Sequence, residues 1–225
     1  MDSSLGVQVQ AFLKGYLNAR SAAGSELAVG EDLAIVRYRV PMGRPSELFC
    51  WGTRTKRLPL ERGMWLTLIG ADAASWPRDL PRSMQKLADE YLMEAMLPLG
   101  AEVAADIQVH ELADASGAAR RVAARPAAGA VHAAVAYFGA ETNGTLAATA
   151  RFGWADRGLV VVDQVLTQPA FRRRGMGEAL MAAMSARAGA LGAARMLLIS
   201  SEEGRRLYER VGFRLLAPVA VYRQA

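Results

Sequence analysis

No stretch of the chain restricts the fold more than the one from Leu159 to Leu180. From Leu159 to Thr167 the sequence is rich in valine and leucine, interrupted only by Asp163 and Gln164. It then runs into Pro169-Ala170-Phe171-Arg172-Arg173-Arg174-Gly175-Met176-Gly177, followed by Glu178-Ala179-Leu180. A β-branched run bounded by turn residues reads as a strand. Residues 175–189, with Leu180, Met181, Met184 and Ala188 on one face, read as a helix. A strand, a glycine-containing turn and a helix in direct succession aim several backbone N–H groups at one concavity. The new helix adds its own unpaired N–H groups and the positive end of its dipole. That combination suits a phosphate or pyrophosphate. A dinucleotide fingerprint would need glycine where Leu180 stands, and the Gly-Lys-Ser/Thr of a P-loop is absent. Two other readings of Arg172, Arg173 and Arg174 stay open: a nucleic-acid patch and a solvated charge run at a helix start.

The remaining chain supplies further elements. Val9, Phe12, Leu13, Tyr16 and Leu17 share a helical face, with Ser3 or Ser4 as the cap. Residues 33–40, 48–51 and 65–70 read as strands. A helix is predicted over 80–96, capped by Asp79, opened by Pro81 and carrying Met84, Leu87, Ala88, Tyr91, Leu92 and Ala95 on one face. A strand follows at 107–112, then a partly helical connector over 113–129 with Arg120, Arg121 and Arg125. Strands at 131–138 and 145–154 flank Thr142-Asn143-Gly144, a hairpin signal because Asn and Gly tolerate positive φ. A strand at 196–200, a helix at 202–211 and an extended segment at 213–223 complete the chain. Strand, strand, strand, helix, strand thus occurs twice, which suggests an internal duplication.

Composition removes several classes. Of 225 residues, 52% are hydrophobic and 22% charged, too apolar for a disordered chain. No run approaches the roughly 18 uncharged apolar residues of a membrane span. Cys50 is the single cysteine, which excludes a disulfide framework and a cysteine-based zinc site. His110 and His132 are the two histidines, so no metal site is expected. The opening Met1-Asp2-Ser3-Ser4 has no basic or apolar stretch, so a signal peptide is not expected and a cytoplasmic setting is. A net charge of +5 favours an anionic partner without choosing among phosphorylated cofactor, nucleic acid and membrane surface.

A second motif narrows the choice. Ser201-Glu202-Glu203-Gly204-Arg205-Arg206-Leu207-Tyr208-Glu209-Arg210-Val211-Gly212-Phe213 follows the first, with a strand between them. Together Arg172-x-x-Gly175-x-Gly177 and Leu207-Tyr208-x-x-x-Gly212-Phe213 resemble the GNAT-type N-acetyltransferase superfamily over about 130–225. The resemblance implies an α/β fold, the GNAT (acyl-CoA N-acyltransferase) fold, with a mixed central sheet and flanking helices. It implies acetyl-CoA as donor, held through its pyrophosphate by Arg172, Arg173, Arg174, Gly175, Met176 and Gly177. Backbone N–H groups at Val165, Leu166 and Thr167 would meet the thioester carbonyl, as an oxyanion hole does. Tyr208 is implied as general acid toward the departing thiolate, the other reading being a core tyrosine. Ser201 would touch the pantetheine arm or cap the helix that starts at Glu202.

The family's base is missing from its usual place, since Val161 stands where many members carry a glutamate. Asp163 shares the face of Val161 by alternation. It is the candidate for taking the amine proton or binding a cationic acceptor, with a structural hydrogen bond as the other reading. His132 is a second titratable candidate. The first hundred residues weakly resemble the degenerate N-terminal lobe of two-lobed members. This divides the chain into a lobe over 1–112 and a cofactor-binding lobe over 113–225, with the acceptor between them. Trp51, Trp65 and Trp76 are candidates to line that cleft, two of them more at home in a core. The expected activity is acetyl transfer to a primary amine of a small molecule or peptide by direct attack. A non-catalytic CoA-binding sensor is the runner-up. No membrane or nucleic-acid partner is expected, and the oligomeric state is open, a homodimer being one option.

Overall fold

A computed structural model describes residues 3–20, 25–38, 44–51, 58–70, 76, 80–100, 103–112, 135–156 and 158–225. Helix α1 (Ser3–Ala19) precedes strands β1 (Glu26–Val29), β2 (Leu33–Arg37), β3 (Ser46–Cys50), β4 (Trp65–Ile69), β5 (Met84–Met96) and β6 (Gln108–Leu112). Then come β7 (Val135–Thr142), β8 (Thr145–Asp156), β9 (Leu159–Thr167), α2 (Met176–Ala190), β10 (Arg195–Ser201), α3 (Glu202–Arg210) and β11 (Arg214–Gln224). Among the described residues the strands form one eleven-stranded sheet in the order β1-β2-β3-β4-β11-β5-β10-β9-β8-β7-β6. Most neighbours are antiparallel, while β3 with β4 and β9 with β10 are parallel. This is the mixed α/β architecture expected from the sequence.

Helices cover the sheet from both sides. Val9, Phe12, Leu13 and Tyr16 of α1 pack on Val161, Leu159 and Leu197 on one face. Met176, Leu180, Met181 and Met184 of α2, with Tyr208 of α3, pack on Val160, Val162 and Leu198 on the other. β9 is buried on both faces over its first half, which is why its sequence reads as a nearly continuous apolar run. The seat of α1 depends on Gly153. A Cβ there would lie 2.2 Å from the backbone nitrogen of Ala19 and the carbonyl oxygen of Gly15.

The strand order has an internal correspondence. Read inward from its two ends, after β6, each side offers three antiparallel strands, a parallel step and an antiparallel partner: β1, β2, β3, β4, β11 and β7, β8, β9, β10, β5. The final strand of each series comes from the other half of the chain. β5 lies on β10, β11 lies on β4, and the two pair with each other at the centre. Glu94 of β5, only 2% exposed, is held there by Arg195 at 3.0 Å and Arg214 at 2.7 Å.

The helix expected over 80–96 is a strand. Its centre is covered on both faces, with Leu92 on the α1 side and Met93 and Ala95 on the α2 side. That double burial erases the period-two pattern, and Met, Leu, Ala, Glu and Lys are good helix formers, so local propensity points the wrong way. Pro81 lies in the turn before it, where its carbonyl accepts from the Met84 N–H at 2.9 Å. β1, an exposed edge strand, has no counterpart in the sequence reading. The hairpin is where it was expected, with Asn143 and Gly144 at φ 49° and 71° between the paired Thr142 and Thr145. Asp79, His132 and the connector over 113–129 lie outside the described residues.

Candidate active site

The sheet opens at its centre. β9 and β10 pair in parallel from Leu159 with Arg195 to Val161 with Leu197 and then separate. Separation coincides with a bulge in β9. While β8 advances from Thr149 to Arg151, β9 spans Leu166 to Asp163, leaving one extra residue. Gln164 takes up the distortion at φ 53°. Bulges re-aim the backbone and end pairing, which is what a strand needs in order to present N–H groups to a ligand. The gap is a pocket of about 190 Å³ lined by Val162–Val165, Leu198–Ser201, Gly204 and Tyr208.

Tyr208 closes this pocket from the α3 side. Its ring packs against Phe213, centroids 5.7 Å apart, and only 8% of the residue is exposed. Burial, and secondarily the Asp163 carboxylate, push its hydroxyl well above the ordinary tyrosine range. Its hydroxyl therefore keeps its proton at neutral pH. Ser201 caps α3, its hydroxyl accepting from the Gly204 N–H at 3.2 Å, and it also lines the pocket. Of the two sequence readings of Ser201, the helix cap is the one seen here.

The arginine-glycine turn leads from β9 to α2. A short 3₁₀ turn at Pro169–Phe171 is followed by Arg173 at φ 62° and Gly175 at φ 82°. Gly175 is the N-cap of α2, and no side chain caps that end. The first N–H groups of α2 are thereby left for a ligand. Gly177 lets α2 meet α3, since a Cβ there would lie 2.7 Å from Leu207 Cδ2. Arg172, Arg173 and Arg174 are exposed around the turn. Uncapped amides, a glycine at positive φ and three exposed guanidinium groups fit a pyrophosphate. Val165 lines the pocket at the gap, whereas Leu166 and Thr167 continue toward the turn, Leu166 being 60% exposed.

A second cavity, of about 390 Å³, lies on the α1 face. Its walls come from both halves of the chain: Tyr16 of α1 and Arg20 just after it, Glu47 and Phe49 of β3, Trp65 and Thr67 of β4, Glu90 of β5, Asp163 of β9 and Val221 of β11. Val162, Asp163 and Ile199 line both cavities, so the two meet where β9 and β10 part. Trp65 is the one tryptophan at the cavity, while Trp51 and Trp76 are 8% and 6% exposed in the core.

Asp163 is heavily engaged. It accepts from Arg151 Nε at 3.0 Å and Nη2 at 2.6 Å, and from Arg20 Nη2 at 3.2 Å. All three are charge-assisted bonds from guanidinium groups, and they fix the carboxylate between two arginines. Its geometry is therefore that of a charge organiser. Glu47 is engaged likewise, accepting from Tyr38 at 2.9 Å, Thr67 at 2.7 Å and Arg44 at 2.8 Å, with Tyr16 at 3.5 Å. Arg20, Arg44, Glu47, Glu90 and Arg151 did not emerge from sequence reading. The readable signal was a charge where the apolar period calls for a core residue, as at Arg20, four positions after Tyr16.

Residues 133–215 match the family model described as an acetyltransferase (GNAT) domain. No curated protein matches the sequence. Among solved structures, a GCN5-related N-acetyltransferase from Kribbella flavida superposes with a TM-score of 0.65 at 16% identity, covering 99% of this chain and 96% of that one. A putative GNAT-family acetyltransferase from Novosphingobium aromaticivorans gives 0.54 at 18% identity, covering 93% and 95%. A GCN5-related N-acetyltransferase from Sphaerobacter thermophilus gives 0.51 at 15%, covering 91% and 83%. At these identities the structural likeness speaks for the fold alone, and it is residues 133–215 that are similar to the acetyltransferase (GNAT) domain.

Proposed function

We propose that the protein transfers an acetyl group from acetyl-CoA to a primary amine by direct attack within a ternary complex. The observation that carries this reading is the gap between β9 and β10, with Tyr208 on one side and a polar cavity of the right size for a small molecule on the other. Acetyl-CoA supplies an activated thioester. Arg172, Arg173, Arg174, Gly175, Met176 and Gly177 hold its pyrophosphate, and Ser201 borders its pantetheine arm. Backbone donors at Val165, Leu166 and Thr167 are the candidates to polarise the acetyl carbonyl, Val165 being the one that lines the gap. Tyr208 donates a proton to the sulfur. Asp163 fixes Arg20 and Arg151 beneath the acceptor.

Cys50 takes no part as a nucleophile. It is buried, and desolvation pushes its thiol up to about 12, so the reactive thiolate is scarce at neutral pH. This favours direct attack over an acetyl-cysteine route. We further propose that residues 1–112 and 113–225 are two lobes that exchange strands β5 and β11, the acceptor binding between them. Among the described residues no helix is long and apolar enough to cross a membrane, and we propose a cytoplasmic enzyme. The test is release of free CoA from acetyl-CoA with a panel of primary amines, beside direct calorimetric binding of acetyl-CoA. Binding with amine-dependent release supports the enzyme. Binding without release from any amine supports a CoA-binding sensor, and no binding overturns both.

A further inference from the structure

We infer that the α1-face cavity receives a small amino acid, whose ammonium group meets the Glu90 carboxylate and loses a proton to it. The inference rests on the acetyltransferase reading above. It starts from an inequality among three carboxylates in one cavity. Glu47 is saturated by Tyr16, Tyr38, Thr67 and Arg44, and Asp163 by Arg20 and Arg151. The Glu90 carboxylate has no hydrogen bond or ion pair among the described residues, although it lines the same cavity and is half-buried. An unpaired acid so placed is the open cation site of the cavity. Burial raises its pKa above the usual carboxylate value, with Glu47 adding to the rise and Arg44 and Arg20 opposing it.

Charge balance identifies the rest of the ligand. Arg20, Arg44 and Arg151 stand against the paired Glu47 and Asp163, an excess of one positive charge before Glu90 is counted. An acceptor with an ammonium group alone would neutralise Glu90 and leave that excess unanswered. A carboxylate on the same molecule answers it through the remaining N–H groups of Arg20 and Arg44, which bind such groups bidentately. A diamine would bring a second cation against the same two arginines, a repulsive element that supplies selectivity. Phe12, Phe49, Leu87 and Val221 complete the wall and suit an apolar side chain.

The step balances. The ammonium group gives one proton to Glu90, which passes it to solvent. The freed amine nitrogen bonds to the acetyl carbonyl carbon as the carbon–sulfur bond breaks. Nitrogen loses its second proton as Tyr208 protonates the departing sulfur, and that second proton restores Tyr208. The products are the N-acetyl amino acid, free CoA and one proton.

Glu90 is faced by Tyr16 of α1 and Arg20 just after it, by Arg44 and Glu47 of the β3 region, by Asp163 of β9 and by the neighbouring β10 residue Ser201. Of these, Glu47 and Asp163 are already engaged by hydrogen-bonding partners, so Glu90 is the carboxylate open to the ammonium group and the one expected to set the acid limb of the rate profile. The experiment compares wild type, Glu90→Gln and Glu90→Asp with L-leucine and L-phenylalanine, their decarboxylated counterparts isopentylamine and phenethylamine, and spermidine, from pH 5 to 9. Acetyl-CoA affinity is measured by calorimetry on each protein. The expected result is unchanged acetyl-CoA binding and at least a tenfold higher kcat/KM for the amino acids than for the matched amines. Glu90→Gln should lose about 100-fold in kcat together with the acid limb, with partial rescue by Glu90→Asp. Amino acids no better than their amines, no turnover of either amino acid by protein that binds acetyl-CoA, or a wild-type pH profile in Glu90→Gln would overturn it. Failure of the wild type to bind acetyl-CoA would instead strike the acetyltransferase reading itself.

Discussion

The acid role proposed for Tyr208 rests on its surroundings more than on its chemistry. A phenol in water ionises near 10, and here burial lifts that value. A raised pKa keeps the neutral hydroxyl in place as pH climbs. The basic limb of the kcat profile should therefore carry no tyrosine ionisation below about pH 10, and steady-state rates from pH 6 to 10 check this. Tyr208→Phe should keep acetyl-CoA affinity within about twofold and lower kcat by about 100-fold, a common size for loss of a general acid. Unchanged turnover with a good acceptor would leave Tyr208 a core residue only. Ser201→Ala should cost about 1 kcal/mol of stability through the lost α3 cap, read by urea unfolding. A fall in acetyl-CoA affinity larger than that loss of stability explains would add a direct ligand contact.

At the scale of elements, the site is made by two interruptions of regular structure. The bulge at Gln164 ends the pairing of β9 with β10, and the glycine N-cap of α2 leaves amides without a side-chain partner. The α1-face cavity depends in addition on α1 lying on β8, because Tyr16 of α1 and Arg20 just beyond its end line that cavity. The Gly153 contact sets that distance. Gly153→Ala would press a methyl group into α1 backbone, which cannot swing aside as a side chain can. The expected loss is about 3 kcal/mol, at the upper end of overpacking costs. Chemical denaturation would measure it, and a loss below about 1 kcal/mol would show that α1 can ride away from the sheet.

For the whole molecule, the exchange of β5 and β11 ties the two halves of the chain together. β10 and β11 have β5 between them, and Glu94 joins all three through Arg195 and Arg214. A fragment of residues 113–225 would expose both flanking strands and lack α1 over β8 and β9. It should show no cooperative unfolding by circular dichroism, and mixing with a fragment of residues 1–112 should restore it. Ligand linkage acts at this scale too. Acetyl-CoA at 100 times its Kd should add about 2.7 kcal/mol. For a chain of this size that is a rise in Tm of roughly 5–10 °C, with NAD and ADP inert as controls.

The sequence by itself determined whatever depends on near neighbours. Leu159–Thr167, the turn through Gly175 and the Leu207-Tyr208 helix are read from residues adjacent in the chain, and the structure has the strand, the turn and the helix there. The Asn143-Gly144 hairpin is legible for the same reason, since both residues must accept positive φ. β5 was not legible. A strand covered on both faces shows no alternation, its residues favour helix, and its partners are far along the chain. The α1-face cavity was illegible too, because Arg20, Glu47, Glu90 and Asp163 come from four separate parts of the chain and carry no common spacing. Only tertiary structure decided that Asp163 spends its charge on two arginines while Glu90 keeps its own free among the described residues, since the same side chain is a base or a strut according to what packs beside it.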